Sequence, residues 1–265
     1  MSLLARSIRA IRNDGFDRAL LLAIRYASYR IGYHDGVSRL PRPLAERLFS
    51  ATVTWVRVNL RLSHRFWPMK YTDADPFKTI SVDPSIIKYT SGASRRRGWV
   101  IDGEWDKSGK EFMQRTIPLA IEQRFAHGSH WNETGLASKY DRIEFQKRTR
   151  SIESLYKSIS EEGYKSQCEL IQQSPEVAWD NLNDAMHPLV NEIAVDIGRN
   201  GEILWNMCGQ HRLAIAKVLG VDQVPVQVFC RHTEWQKIRE GICAGEKIPS
   251  KLHDHPDLRE LVTDT

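Results

Sequence analysis

The stretch from 191 to 229 constrains the fold most, because strand, turn and helix signals follow one another there without a gap. In "NEIAVDI", Ile193, Val195 and Ile197 alternate with other residues, which predicts a strand. "GRNG" predicts a hairpin turn, and "EILWNM" its returning strand. The apolar stretch "QHRLAIAKVLG" predicts a helix. "VPVQVF" predicts a last strand, with Pro225 at an edge or at the start of that strand.

Two earlier stretches extend this pattern. "KTISVDPSII" predicts a short strand followed by a turn. "SIESLYKSISEEG" predicts a helix whose apolar residues recur at intervals of three and four and which ends at Gly163. Ser154 and Ser158 fall together beside that apolar row. The order of these strands and helices predicts an α+β fold with one small mixed sheet and packed helices.

Positive charge is concentrated in the N-terminal part of the chain. Residues 1–70 carry 13 Lys and Arg against 4 Asp and Glu, whereas the rest of the chain carries 25 against 29. Apolar residues there have helical spacing, interrupted at Pro41 and Pro43, which predicts a basic amphipathic helical segment over 1–70. Two interpretations stay open. One is a helical hairpin packed on the main domain with solvated arginines; the other is an arm that contacts nucleic acid or membrane phospholipid.

The composition changes along the chain predict three parts. The basic segment 1–70 comes first, and "DADPF" contains the boundary that follows it. A main domain over 76–232 includes an irregular insertion at about 90–150, which is rich in tryptophan, glycine and charge. A helical or loose tail over 233–265 completes the chain.

Targeting and redox signals are few. No run of about 18 apolar residues is present, so we expect no membrane span. The N-terminus lacks a small-residue cleavage site after a long apolar core, so we expect no secretory signal. The four cysteines lack CxxC spacing, which argues against a zinc ribbon or a disulfide scaffold. We therefore expect a cytoplasmic protein, or one peripheral to a membrane.

Three pieces in order resemble the ParB/sulfiredoxin superfamily: "ISVDPSII", "SIESLYKSISEEGYKSQCEL" and "GEILWNMCGQHRLAIAKVLGVDQVPVQVF". The third contains the Gly-x-His-Arg form of the family's motif, between a strand and an Ala-rich helix. The resemblance covers roughly 80–90 and 151–230. It implies the family's ParB/sulfiredoxin-like fold, a small mixed sheet with packed helices.

Members of that family hold nucleotide phosphates at this motif. The resemblance therefore implies phosphate contacts from Gly209, Gln210, His211 and Arg212, and hydroxyl donors from Ser154 and Ser158. Elementary chemistry agrees, because a helix N-terminus offers unpaired N–H groups and the positive end of a dipole. Glycine admits close approach, and arginine presents a planar fork to phosphate oxygens. The expected ligand is a nucleoside triphosphate, ATP or CTP, with Mg²⁺.

Two branches of the family fit less well. Gln210 stands where sulfiredoxins carry their catalytic cysteine, so a sulfiredoxin-type reductase is not expected. Partition proteins usually have Gly-Glu-Arg-Arg here and a helix-turn-helix domain downstream, and too few residues follow Phe229 for one. The Gly-x-His-Arg form is closer to the sulfiredoxins and to the relatives that phosphorylate free serine.

"WVIDGEWD" places Asp102, Glu104 and Asp106 at alternate positions. In an extended segment all three face one side, where they could hold a divalent cation or act as a base. The alternative is a solvated acidic turn with Trp99 and Trp105 packed inward.

Other polar clusters have simpler explanations. The run Arg95–Arg97 is a solvated loop, or a contact to phosphate or nucleic acid. The pairs "HGSH" and "HDH" lack partners at zinc spacing, so no metal site is expected among them. Cys208 is a structural thiol, or a redox-active one if the helix start lowers its pKa.

Together these features give two functional hypotheses. The first is a nucleotide-binding protein, an NTPase or small-molecule phosphotransferase, in which the carboxylates of 102–106 handle the metal or the base. The alternative is a non-enzymatic nucleic-acid-binding protein, or a remnant nuclease of the same fold, that uses 1–70 as a basic arm.

Overall fold

The computed structural model describes residues 41–93, 97–180 and 187–263, together with Leu20 and Ala23. Within these ranges the helices are α1 (Arg42–Phe66), α2 (Thr116–Phe125), α3 (Arg142–Glu162), α4 (Gln167–Gln173), α5 (Pro175–Asp180), α6 (Gln210–Leu219), α7 (Thr233–Cys243) and α8 (Pro256–Thr263). The strands are β1 (Thr79–Val82), β2 (Trp99–Ile101), β3 (Ile193–Ile197), β4 (Ile203–Trp205) and β5 (Val224–His232).

β5 is the central strand of one mixed sheet. On one side it pairs antiparallel with β1 and, further along, parallel with β2. On the other side it pairs parallel with β3, which pairs antiparallel with β4. The predicted α+β class with a small mixed sheet is thus confirmed. Pro225 is the second residue of β5 and precedes Val226, where the pairing with β3 begins, so it occupies the strand-start position.

One face of the sheet carries the main core. The alternating residues Ile193, Val195 and Ile197 are fully buried there, as their spacing predicted. Helix α6 packs close to them, and its residues 213–216 have no exposed surface. Two of these are alanines, and the small side chains let the helix axis approach neighbouring elements.

The region 90–150 contributes directly to this core. It supplies β2 and α2, and its residues Phe112, Ile121 and Leu136 are almost wholly buried. Phe112 packs on Trp205 of β4 with ring centroids 5.2 Å apart. The stretch expected to be an irregular insertion thus contributes to the core, although much of it consists of turns. Besides β2 it contains α2, a helix of 10 residues that is too short to reveal a period, and the first turns of α3, which begins at Arg142.

The segment after β5, expected to be a helical or loose tail, forms α7 and α8 within the described residues. Asp257 of α8 is fully buried and accepts hydrogen bonds from Arg231 Nε at 2.9 Å and from Trp235 Nε1 at 2.8 Å. Burial alone would raise the pKa of Asp257, but the arginines Arg231 and Arg239 lower it to about 2. Arg239 of α7 also donates to Asp73 at 2.7 Å, so ion pairs connect α8 to β5 and α7 to the segment before β1.

Helix α1 lies on the outside of this body. Phe49 is buried against Val190 and stacks on His187, with ring centroids 4.0 Å apart. Of the basic segment expected over 1–70, the structure describes 41–70 as this helix and the turn after it. Apart from Leu20 and Ala23, residues 1–40 lie outside the described part of the chain. Within the described ranges no helix combines the length and apolarity needed to cross a bilayer.

Candidate functional site

The motif region is a tight turn between β4 and α6. The turn runs through Asn206, Met207 and Cys208 to Gly209, and α6 begins at Gln210. Met207 has φ 54° and Gly209 has φ 71°, so two of the four turn residues are left-handed. A left-handed methionine is unfavourable on its own, and such strain persists only where neighbouring contacts hold it.

Hydrogen bonds of the buried Asn206 stabilise this turn. Its Nδ2 donates to both carboxylate oxygens of Asp196, at 3.0 and 2.8 Å, and the Cys230 N–H donates to the same carboxylate at 2.9 Å. Asp196 has no exposed surface, and burial raises its pKa to about 6. On the far side of the turn Trp205 Nε1 donates to Cys208 O at 2.8 Å. The turn is therefore fixed at both ends.

Gly209 is required by packing against the protein itself. A Cβ built on it would lie 2.7 Å from the Cα of Ile193 and 2.7 Å from its Cγ1. Sequence reasoning expected this glycine to let a ligand approach the backbone. The structure shows the close approach on the side of β3, where the first strand residue lies.

Arg212 also turns inward. Its Nη1 donates to Glu192 Oε1 at 2.9 Å, and its Nη2 donates to Lys165 O. Glu192 Oε2 accepts the Gln167 N–H at 2.8 Å, so the carboxylate joins α4, β3 and α6. The guanidinium lies 4.5 Å from the ring centre of Tyr164. The structure therefore does not present Arg212 to a phosphate. Its guanidinium is bound instead by Glu192, a carboxylate of the protein itself.

The start of α6 has no side-chain cap. Gly209 occupies its N-cap position and no side chain caps it, so the first N–H groups of Gln210 and His211 keep their positive character. Both residues are half-buried at the surface. Burial lowers the pKa of His211 to about 4, with smaller contributions from Arg148 and Lys139. His211 is therefore a neutral imidazole at pH 7 with cations beside it.

Two cations, Arg148 and Lys139, act electrostatically on His211 in the first turn of α6. Arg115 lies 4.8 Å from the ring centre of Trp205, whose indole bonds the turn. Arg148 also pairs with Glu144 at 2.7 Å. Sequence reasoning did not single out these residues. A signal existed in "KYDRIEFQKRTR" (139–150), which carries five Lys or Arg against two Asp or Glu.

The serines of α3 are placed away from the core. At 100° per residue, Ser154 lies about 160° and Ser158 about 120° from the buried Ile152. Ser154 is exposed and Ser158 is half-buried. Ser154 therefore faces solvent rather than α6, and only Ser158, at the edge of the packed side, keeps a position compatible with the expected role.

The acidic triplet, Asp102, Glu104 and Asp106, lies beside the β3–β4 hairpin. Asp106 receives Arg199 Nε and Nη2, each at 2.8 Å, and the Arg199 backbone N–H at 3.0 Å. These bonds hold the pKa of Asp106 well below its usual range. Glu104 pairs with Lys107 at 2.8 Å and with Arg199 at 3.2 Å, and Asp102 is 84% exposed.

The structure does not bring these carboxylates to the motif. Arg199 follows the end of β3, whereas Gly209 packs on Ile193 at its beginning. Four residue steps of about 3.3 Å separate the two ends by about 13 Å. Over the described residues no group of three or more His, Cys, Asp or Glu could hold a metal ion. The expected catalytic use of Asp102, Glu104 and Asp106 on a phosphate at 209–212 thus lacks the required proximity.

The remaining polar clusters have structural roles. Arg97 is buried and donates to Gln227 at 2.7 Å and to Pro76 O at 2.9 Å, while Arg95 and Arg96 lie outside the described residues. His255 Nε2 lies 2.9 Å from Gly201 O. The histidine pairs accordingly form no metal site in the described chain.

Comparisons with protein-family models, with curated proteins and with solved structures gave no match to this chain. The resemblance to the ParB/sulfiredoxin superfamily therefore stays a prediction that rests on its three motifs.

Proposed function

We propose that this protein binds the phosphate groups of a small ligand at the start of α6, with a nucleoside triphosphate, ATP or CTP, as the first candidate. The observation that carries the proposal is the uncapped N-terminus of α6, a helix of 10 residues, together with the electrostatic effect of Arg148 and Lys139 on His211 in its first turn. A phosphate there would satisfy orphan N–H groups and meet the positive end of the helix dipole.

Each group at this site has a separate part in binding. The N–H groups of Gln210 and His211 would donate to phosphate oxygens, and the imidazole of His211 would donate a further hydrogen bond. Lys139 and Arg148 would supply charge, as would Arg115 of the α2 N-cap. A bound dianion favours the protonated imidazole, so binding would raise the pKa of His211 from about 4.

Arg212 supports this site indirectly. Glu192 is 2% exposed and, without a counter-ion, would place an uncompensated carboxylate beneath the start of α6. The arginine neutralises it through the 2.9 Å contact, so the local field at the helix start stays positive. The residue is thus a positioning and neutralising group in this proposal, not a phosphate ligand.

The proposal is one of binding. Phosphoryl transfer needs a base and a metal ligand near the phosphate, and the carboxylates of 102–106 lie at the other end of β3. Asp106 is taken by Arg199, so these residues do not fit a Mg²⁺ site. A Mg²⁺ that accompanies a nucleotide would neutralise its phosphate oxygens.

The test is titration calorimetry of the full chain with MgATP, MgCTP and tripolyphosphate. We expect Lys139→Gln/Arg148→Gln to weaken binding by about tenfold or more, because two charge-assisted contacts are lost. Lys157→Gln/Lys237→Gln is the matched control, with the same change of charge on exposed lysines. Equal affinities of the two double variants, or no binding by the unmodified chain, contradict the proposal.

The same experiment separates the nucleic-acid alternative. A non-enzymatic DNA- or RNA-binding protein would bind an oligonucleotide with an affinity that falls steeply with salt, and deletion of 1–40, which leaves the packed helix α1 in place, would weaken that binding. Lys139→Gln/Arg148→Gln would then leave oligonucleotide affinity unchanged. This pattern, with no binding of tripolyphosphate, would favour the alternative over the phosphate site.

A further inference from the structure

Helix α1 carries an apolar row on its solvent side. Leu44 is 51% exposed, Trp55 58%, Val58 46% and Leu62 41%. The last three are spaced at i, i+3 and i+7, so they lie one above another along the helix. From Leu44 to Leu62 the row extends for about 27 Å at 1.5 Å per residue.

Three exposed arginines flank that row on one side. At 100° per residue, Arg47 and Arg65 lie about 60° from Leu62, and Arg61 lies about 100° from it in the same direction. None of the three forms an ion pair with a described residue. Glu46, the single acidic residue of α1, is about 160° from Leu62 and pairs with Arg42 at 3.0 Å.

The opposite side of α1 is committed to the body of the protein. Phe49, Leu60 and Ser63 are buried, with 7%, 3% and 0% of their surface exposed. Arg57 pairs with Asp75 at 2.8 Å beside this contact. The helix is therefore held sideways on the domain, so its apolar row can lie on a surface but cannot pass through one.

We propose that this face of α1 docks the protein on the surface of an anionic phospholipid bilayer. A row of Trp, Leu and Val beside arginines is the pattern of helices that lie in the plane of a membrane interface. The apolar side chains would enter the acyl boundary, and Arg47, Arg61 and Arg65 would contact lipid phosphates. This inference is independent of the phosphate site at α6.

The pattern of apolar and charged residues disfavours an antiparallel second copy and nucleic acid as the partner of this face. In an antiparallel pair of α1 helices from two copies, the arginine side of one helix meets the arginine side of the other, and the like charges repel. Nucleic acid would use the arginines but offers no apolar surface to cover Val58 and Leu62. An anionic bilayer satisfies both halves of the pattern.

The test is flotation of the full chain with vesicles. Phosphatidylcholine vesicles are compared with vesicles that contain equal parts of phosphatidylcholine and phosphatidylglycerol. We expect the chain to float only with the anionic vesicles, and less at high salt. Trp55→Glu/Leu62→Glu should lower the floated fraction by about tenfold, because burial of two apolar side chains is lost. Ile86→Glu, at a residue 47% exposed elsewhere, is the control that should float normally.

A second variant tests the basic flank. Arg47→Gln/Arg61→Gln/Arg65→Gln should also lose flotation while circular dichroism and melting temperature stay close to those of the unmodified chain, because all three side chains are exposed. Flotation that persists in both α1 variants would overturn the proposal and point to residues 1–40. Failure of the unmodified chain to float, with light scattering that shows a dimer broken by Trp55→Glu/Leu62→Glu, would overturn it in favour of a second copy.

Discussion

Arg212 and Glu192 form a buried ion pair at 2.9 Å, and their side chains are 10% and 2% exposed. The arginine that a phosphate-binding motif would present to its ligand is thus used inside the protein. Through Glu192, which also accepts the Gln167 N–H, it fastens the start of α6 to the start of α4 and to β3. The phosphate site proposed at the start of α6 depends on this contact, because it removes a negative charge from beneath the helix.

Replacement of Arg212 should lower the free energy of unfolding, because the arginine contacts the protein itself and not a ligand. Arg212→Leu leaves the Glu192 carboxylate buried without a counter-ion, which typically costs about 3–5 kcal/mol. The double variant Arg212→Leu/Glu192→Leu should recover most of that loss. Urea unfolding followed by circular dichroism measures both. An Arg212→Leu protein as stable as the unmodified chain would show that the ion pair does not hold this region.

The same variant should gain a pH dependence. Burial already raises the pKa of Glu192, and Arg212 opposes that effect. Without the arginine the pKa rises further, so the folded state binds a proton that the unfolded state releases. The free energy of unfolding of Arg212→Leu should therefore fall as pH rises above the unfolded pKa of Glu192, and the loss should be smaller at pH 5 than at pH 8.

Gly209→Ala should be far more damaging than Gly220→Ala, although the two glycines stand at the two ends of α6. Both are left-handed, with φ 71° and 64°, which costs an alanine about 1 kcal/mol. At Gly209 the new Cβ also collides with the backbone of Ile193, whereas nothing lies within 4 Å of one at Gly220. We expect a loss of more than about 3 kcal/mol against about 1 kcal/mol in thermal unfolding. Similar losses would contradict the close approach.

Substitutions in the acidic triplet should change stability by different amounts, because Asp106 is bound by Arg199 and Asp102 is exposed. Asp106→Asn breaks a two-point contact with Arg199 at a side chain that is 3% exposed, and we expect a loss of about 1–3 kcal/mol. Asp102→Asn, at a side chain 84% exposed, should change stability by less than about 0.5 kcal/mol. The matched pair is compared by thermal unfolding. If Asp102→Asn instead abolishes a nucleotide-dependent turnover without loss of stability, the catalytic interpretation of these carboxylates stands.

Local periodicity predicted the elements that have a regular pattern. The alternation of Ile193, Val195 and Ile197 marked β3, and the spacing of Ile152 and Ile159 marked α3. The region 90–150 and the segment after β5 were harder to predict, because the contacts that stabilise them join residues that are far apart in the sequence. Asp73 and Arg239 bond at 2.7 Å but are 166 residues apart, and no sequence pattern records such a pair.

The candidate site was predicted only in part, because some of its contacts also join residues that are distant in the sequence. Sequence spacing located the turn and the helix start at Gly209 and Gln210. It could not say whether Arg212 faces a ligand or a carboxylate, because its partner Glu192 lies 20 residues earlier on another element. The alternate spacing of the acidic residues also could not show that Asp106 lies far from the motif. Asp106 is bound by Arg199 of the β3–β4 hairpin, at the opposite end of β3.

His211→Gln should remove one acid-sensitive contribution to stability. The pKa of His211 is about 4 in the folded protein against an ordinary value of 6.5, so between these pH values the unfolded state binds more protons. Stability from this residue is present above pH 6.5 and is lost as pH falls toward 4, by about 2–3 kcal/mol. Relative to the unmodified chain, His211→Gln should therefore be more stable at pH 4.5 than at pH 8. Parallel pH profiles in urea unfolding would contradict this.

Asp196→Asn should show the opposite pH dependence. The pKa of Asp196 is about 6 against an ordinary 3.8, so the folded state binds more protons, and stability falls as pH rises through this range by about 2–3 kcal/mol. An asparagine does not titrate, and its side-chain oxygen can still accept hydrogen bonds from Asn206 Nδ2 and from the Cys230 N–H. Asp196→Asn should thus gain stability relative to the unmodified chain between pH 4 and pH 7 in urea unfolding. A difference that does not change with pH would show that the carboxylate stays ionised in the core.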